Sequence, residues 1–411
     1  MIYDCNYDFE KTFQAENLSA KTTVIVEKRH DLLCVKSPYF FTKKIKNKNL
    51  SEKYKMKEFG LVKSSNEQAY LFTVENKNGM SVDFSTLGAT IVSIRMKDKN
   101  GNLVDVAQGY NSAECYTDFP VGHAGGTIGP IANKLDYGTF TLNGKKYELE
   151  KNKDGGRTHC HGASDGIDIK NWNYELIDNG VKFTYLKKDG VGGHPGNIEF
   201  TTIYKLTDDN AIKIIYEAKT DKDTVINLTN HSYFNLDGEQ NAQEGAILNH
   251  LVQLPASSKF TVCNEVAVPT GEIKETKGTP FDFSKETEIS SVIGQDDEQL
   301  KIGAGFDQNF CVDGYDGKKL IDVAKVKSPN TGIVLTVSTN LPGFQFYTAN
   351  HLGKPIQPLG KSGKRYEKRS ALCVEPQFYP NAVNIEDFEK PILKVGEKFC
   401  REIDYKFSVE K

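Results

Sequence analysis

No run of apolar residues in this 411-residue chain approaches the roughly 20 needed for a membrane-spanning helix. The opening stretch, MIYDCNYDFEKTFQ, lacks the basic start and apolar core of a secretory signal, and its early acidic residues speak against an Arg-rich transit peptide. The expected location is therefore the cytosol. No excess of one charge exists either. The formal net charge is −3, so neither nucleic acid nor an anionic membrane is an expected partner. The eight cysteines form no CxxC pair, which argues against a zinc–cysteine site or a disulfide framework and for free, mostly buried thiols. There is no GxGxxG and no GxxxxGK[ST], so the glycines near 125–129 read as loop formers rather than a phosphate cradle. Long amphipathic helical patterns are almost missing.

Short alternating runs with turn signals between them are what the sequence does contain. Apolar content is 38% and charged content 26%, as suits a globular protein. From Phe59 onward, stretches such as LFTVENKNGMSVDFSTLGATIVSIRM recur. In TFTLNGKKYEL, Asn143-Gly144 separates two strand-like runs, a hairpin signal because both residues tolerate positive φ. This pattern predicts an all-β chain, one large antiparallel β-sandwich over 58–411. Residues 1–57 read as an N-terminal extension. Its second half carries seven lysines between Lys43 and Lys57 and is expected to be a solvated linker.

The segment VINLTNHSYFNLDG at 225–238 is unusual. Read as one strand, it places Asn227, Thr229, His231, Tyr233 and Asn235 on a single face. That face bears no charge, donates and accepts hydrogen bonds, and includes one proton-carrying imidazole. It suits a neutral polyhydroxylated ligand. In SALCVEPQFYPNAVN, alternation sets Cys373, Glu375 and Gln377 opposite Leu372, Val374 and Phe378. A carboxylate in such an apolar strand is hydrogen-bonded or salt-bridged, solvated in a cleft, or at work. Brought together, His231 and Glu375 make an acid–base pair. GFDQNFCVD sets Asp307 and Asn309 opposite Phe306, Gln308 and Phe310, and LPGFQFYTAN alternates Gln345 and Tyr347 with Phe344 and Phe346. GGRTHCHGASDG offers an H-x-H pair, His159 and His161, to which His123, His194 or Asp165 could add for a metal. Nothing in the spacing selects them. No metal is expected, and His159 reads as a surface or loop residue.

Six segments in series, ANKLDYGTFTLNGKKYEL, HCHGASDGIDIKNW, NLTNHSYFNLDG, FDQNFCVD, LPGFQFYTAN and CVEPQFYPNAVN, resemble the aldose 1-epimerase (galactose mutarotase) family over roughly 59–411. The resemblance implies a β-supersandwich and a cofactor-free isomerase that interconverts the α and β anomers of free hexoses such as glucose and galactose. It implies His231 as acid, Glu375 as base, and Asn133, His161, Asp307 and Gln345 as sugar-binding residues. Lys134 stands where the family has Arg, which removes the planar fork that grips two oxygens. Gly129-Pro130 replaces a Gly-Arg, and CHGA replaces an LHGG-like run. The expected partner is a small-molecule aldose, and the chain is expected to be a monomer or weak homodimer. Two alternatives go with this reading. One is an epimerase of phosphorylated or modified sugars, served by Lys134, Arg157 and Lys170. The other is a non-catalytic carbohydrate-binding protein.

Overall fold

The computed structural model describes residues 54–119 and 122–411, together with the strands Thr12–Gln14, Thr23–Arg29 and Leu32–Lys36. Those three strands pair antiparallel with one another. The linker expected up to Lys57 lies outside the described residues as far as residue 53. Lys55–Lys57 instead open the strand Lys55–Val62, which runs across the expected 57/58 boundary.

From there on the regular structure is almost entirely antiparallel strand, as the turn-punctuated alternation predicts. A nine-stranded sheet runs in the order Asn173–Ile177, Gly180–Lys187, Ile198–Leu206, Ala211–Thr220, Phe399–Val409, Ile333–Thr339, Ile321–Lys327, Leu251–Gln253, Thr287–Glu288. A five-stranded meander covers Lys55–Val62 to Leu103–Asp105. A second five-stranded sheet is ordered Pro269–Glu275, Lys259–Cys263, Asp307–Cys311, Gly343–Tyr347, Cys373–Gln377. The α-helices among the described residues, Ala113–Asp118, Ile289–Val292 and Glu298–Gly303, are short. None is long and apolar enough to cross a membrane. The hairpin at Asn143-Gly144 forms as expected: Thr139–Leu142 pairs with Lys145–Glu148, and the two turn residues have φ of 51° and 76°.

One apolar core joins the three sheets. The nine-stranded sheet contributes Tyr204, Ile214, Tyr216 and Tyr405; the others contribute Phe72, Phe84, Phe310, Phe344 and Phe346. Period two explains the division of labour: each strand sends alternate residues inward. Phe84 stacks on Tyr204 with centroids 4.7 Å apart. Tyr405 does more than fill space. Its hydroxyl lies 3.2 Å from the carbonyl of Val374 and 3.4 Å from that of Asn230, so the core sheet touches the two segments that carry Glu375 and His231. Tyr405→Phe keeps the ring and removes the only donor; a loss of about 1 kcal/mol in unfolding free energy is expected, measured from the urea midpoint.

The strand Cys373–Gln377 is the edge of its sheet and contains Pro376, a residue without an N–H that sheets accept only at edges or bulges.

Candidate active site

Register builds the floor of the site. Across the second five-stranded sheet, Asn309 pairs with Gln345 and Gln345 with Glu375, while Asp307 pairs with Tyr347 and Tyr347 with Cys373. Residues that oppose one another share a face, so two polar rows run across three strands. The other face carries Phe310, Phe344, Phe346 and Val374 into the core. The alternation read from the three segments is thus correct. Gln345 Nε2 donates to Asp307 Oδ1 at 2.6 Å, and Gln377 Nε2 lies 3.3 Å from both Asn309 Oδ1 and Gln345 Oε1.

The segment around His231 lies along the open edge of this sheet. It is not one strand. Thr229–Asn230 pairs with Thr127–Ile128, and Tyr233–Phe234 with Ala107–Gln108. Phe234 also exchanges backbone hydrogen bonds of 2.7 and 2.9 Å with Leu372. These changes of partner re-aim the side chains, and the five-residue polar wall does not form. Asn227 binds the backbone of Phe378, Asn235 binds the carbonyls of Asn241 and Ser370, and the hydroxyl oxygen of Thr229 is buried without a partner. Only His231 and Tyr233 of the five reach the cavity. The Phe234–Leu372 bridge brings His231 beside Glu375: Nε2 is 3.7 Å from Oε2, and Nδ1 is 3.6 Å from Cys373 Sγ. Tyr233 stacks on the imidazole at 4.9 Å, and Tyr347 meets it edge-on at 6.3 Å.

These groups surround one cavity of about 270 Å³, which His231, Glu375, Asn133, Lys134, His161, Asp307 and Gln345 all line. Every site residue expected from the sequence is therefore in one place. A larger, shallower depression of about 580 Å³ near Asp237, Glu244 and Glu288 contains none of them.

Burial sets the proton inventory. Glu375 is 2% exposed, and its Oε2 has no hydrogen-bond partner among the described residues. Burial pushes its carboxyl well above the usual range, with the charge of Asp307 adding to the effect. Burial likewise pulls the His231 imidazole down to about 3, with His123 adding. Buried charges are disfavoured, so in the protein alone the pair holds its one proton on the carboxyl. Asp307 is also raised by burial, a shift that the Gln345 hydrogen bond opposes. His161 is held well below its ordinary value, first by burial and then by His123 and His231. Its Nδ1 accepts from the backbone N–H of Asn133 at 3.1 Å. The neutral ring therefore bears its hydrogen on Nε2, as a donor.

Lys134 is not free. Its Nζ donates to the carbonyl of Val266 at 2.6 Å and pairs with Asp154 at 3.1 Å. The expectation that Arg157 and Lys170 join it is not met: Arg157 pairs with Asp136 and Glu265, Lys170 pairs with Asp165, and neither lines the cavity. Lys153 and Lys354 do line it and lack an acidic partner among the described residues. Neither belongs to a motif from which a place in the site could be read.

His159 is buried at 1% exposure rather than on the surface. The H-x-H geometry also fails, because His161 adopts φ +54° and leaves the strand alternation. His159 packs 6.0 Å from His194, while His161 turns to His123 and His231, at 4.7 and 5.3 Å. Cys115, Cys160, Cys263, Cys311, Cys373 and Cys400 are free thiols, and Cys160, Cys263, Cys311 and Cys373 are buried.

Comparison with known proteins agrees with this arrangement. The family model described as aldose 1-epimerase matches residues 70–406. A galactose mutarotase from Bos taurus is 38% identical over 330 residues, 80% of this chain and 92% of the relative. An aldose 1-epimerase from Escherichia coli K12 is 34% identical over 344 residues, 83% of this chain and 95% of the relative. Among solved structures, a galactose 1-epimerase from Lactobacillus acidophilus aligns with a TM-score of 0.72 at 27% identity, covering 87% of this chain and all of that one. An aldose epimerase homologue from C. elegans aligns with a TM-score of 0.74 at 26% identity, covering 83% and 99%. A fold shared along its length, a profile match from the first sheet to the last strand, and an imidazole and a carboxyl meeting in one cavity lead to the same place: the chain belongs to the aldose 1-epimerase family.

Proposed function

We propose that this protein is a mutarotase, interconverting the α and β anomers of free hexoses such as glucose and galactose, with Glu375 as base and His231 as acid. The observation that carries the assignment is the 3.7 Å approach of His231 Nε2 to Glu375 Oε2 on the wall of one cavity. Two groups so close can address two oxygens bonded to one carbon. Anomer exchange needs this arrangement. The C1 hydroxyl loses its proton to Glu375, the bond between C1 and the ring oxygen breaks, and His231 protonates that oxygen. The open aldehyde turns about C1–C2, and the same two groups run the steps backwards on its other face.

The working tautomer has the proton on the imidazole and the charge on the carboxylate. It carries the same net charge as the tautomer favoured by burial, so no proton enters or leaves the site. A sugar hydroxyl donating to Oε2, which has no other partner, favours the charged carboxylate. His161 offers Nε2–H, and Asp307 with Gln345 offers acceptor and donor atoms to the remaining hydroxyls. Asn133 holds His161, and Lys134, anchored by Asp154 and Val266, places its ammonium at the cavity wall. We assign this unit to residues 58–411 and treat 1–57 as an extension.

Lys153 and Lys354 favour a second reading, a substrate bearing an anionic group. Optical rotation of freshly dissolved α-galactose, α-glucose and α-glucose 6-phosphate, with and without protein, decides. Acceleration for the free hexoses is expected. Acceleration for the phosphate alone would overturn the first reading, and sugar binding without acceleration would make the protein a carbohydrate binder.

A further inference from the structure

Four imidazoles line the cavity, those of His123, His161, His231 and His351, and the protein engages the first three through Nδ1. His161 is held by the Asn133 backbone N–H at 3.1 Å, His231 contacts Cys373 Sγ at 3.6 Å, and His123 meets Asp168 Oδ2 at 2.7 Å. Two of the three already have roles in the reaction. His123 does not, and its environment is the most elaborate.

We infer that His123 is a further substrate-touching residue and Asp168 its positioning partner: the carboxylate grips Nδ1 so that the ring presents Nε2 to a hydroxyl of the bound sugar. This rests on the assignment of the cavity to a hexose. The side chains of His123 and Asp168 are 9% and 4% exposed. His123 is the one basic group that pairs with Asp168 among the described residues. A buried carboxylate left without a hydrogen-bond donor is costly, so Nδ1–H donates to Asp168 and Nε2 is left for a ligand. The titratable groups facing His123 are Asp168, His161 and His231. Its ring lies 4.7 Å from that of His161 and 6.0 Å from that of His231, on the side of the cavity where the acid sits.

Two backbone features serve the dyad. His123 is held at φ +51°, a region side chains other than glycine enter rarely. A Cβ at Gly126 would lie 2.9 Å from the Cβ of Asp168, so glycine there admits the close approach of the turn bearing Asp168 to the loop bearing His123. The same loop also holds the backbone of the acid: the His231 N–H donates to the carbonyl of Gly126 at 3.1 Å, and the Gly125 N–H donates to the carbonyl of His231 at 2.8 Å.

The test uses the full chain with ¹⁵N-labelled histidine and the variants His123→Gln, Asp168→Asn, Asp168→Glu and the double His123→Gln/Asp168→Asn. Galactose KM should rise about three- to tenfold in His123→Gln and in Asp168→Asn, the scale of a lost hydrogen bond, with kcat changed much less. The double variant should be no worse than His123→Gln alone, because one residue acts through the other, and Asp168→Glu should restore part of the affinity. In the wild type Nδ1 should carry the hydrogen that Asp168 accepts, and its signal should change in Asp168→Asn. Saturating galactose should shift the Nε2 signal. An unchanged KM in His123→Gln, additive losses in the double variant, or an Nε2 signal indifferent to galactose would each overturn the inference. The same titration in Glu375→Gln reads the contact without turnover. Normal turnover in that variant overturns the acid–base assignment, whereas a silent His123 overturns this one.

Discussion

Glu375→Gln should lower the turnover of α-galactose about 10³- to 10⁴-fold while leaving the fold intact. The change keeps the size of the side chain and removes its ability to accept the C1 proton, and a positioned proton transfer is worth about 10²–10⁴-fold. The upper part of that range applies here because no other ionisable carboxyl is as close to His231: Asp307, the other acid on the cavity wall, is already bonded to Gln345. The fold should tolerate the amide. Glu375 lies 2% exposed with an unpartnered oxygen, and burial disfavours its charged form. A neutral amide removes that conflict, so the urea midpoint should be equal to or above that of the wild type, as happens where function is maintained against stability. A variant that unfolds earlier and retains turnover would mean that the carboxyl is structural.

His231→Asn should cost about 10²- to 10³-fold in turnover, and the wild-type pH profile should show why. An ordinary histidine acid would give an inflection near its usual value of about 6.5. Here burial, with His123 adding, brings the imidazole down to about 3, and burial lifts Glu375. The two groups share one proton, so the profile belongs to the pair. On the acid side, activity is lost only when the pair takes a second proton, because Glu375 can then no longer accept; this limb lies toward about pH 3. On the alkaline side it is lost when the pair gives up its only proton, at a value set by the raised carboxyl. Polarimetry from about pH 3 to 7 should find the acid limb of kcat/KM well below the ordinary glutamate value of about 4.3. A half-loss of activity near about 4.3 would show a carboxyl that titrates independently of the imidazole.

Much of this site was legible before folding was considered. Glu375, Asp307 and Gln345 could be read because strand alternation is local: a period of two tells which side chains leave on the polar face, and the face of Phe310, Phe344 and Phe346 tells which side is core. The pairing that aligns the rows is not local, but the motifs' likeness to a known family supplied it. The same local logic failed at 225–238. The chain there changes partners every few residues, and alternation holds only while one ladder continues. It failed again at His159 and His161, where a left-handed residue breaks the count. Asp168 and His123 are 45 residues apart and belong to a turn and a loop, so no periodicity connects them. Lys153 and Lys354 look like ordinary surface lysines until the cavity gives them a common neighbour.

Pro376 sits one residue beyond the base, on the outermost strand of its sheet. The strand is outermost by pairing only: the chain's own segment covers it, bonded through Phe234 to Leu372 and through Asn227 to Phe378, and Pro376 is buried. Between these two attachments the covering segment no longer runs as a ladder, and a buried amide hydrogen left there without an acceptor would be costly. Proline carries no such hydrogen. The residue that looks least suited to a strand thus lets the chain close over the back of its own base with no donor stranded.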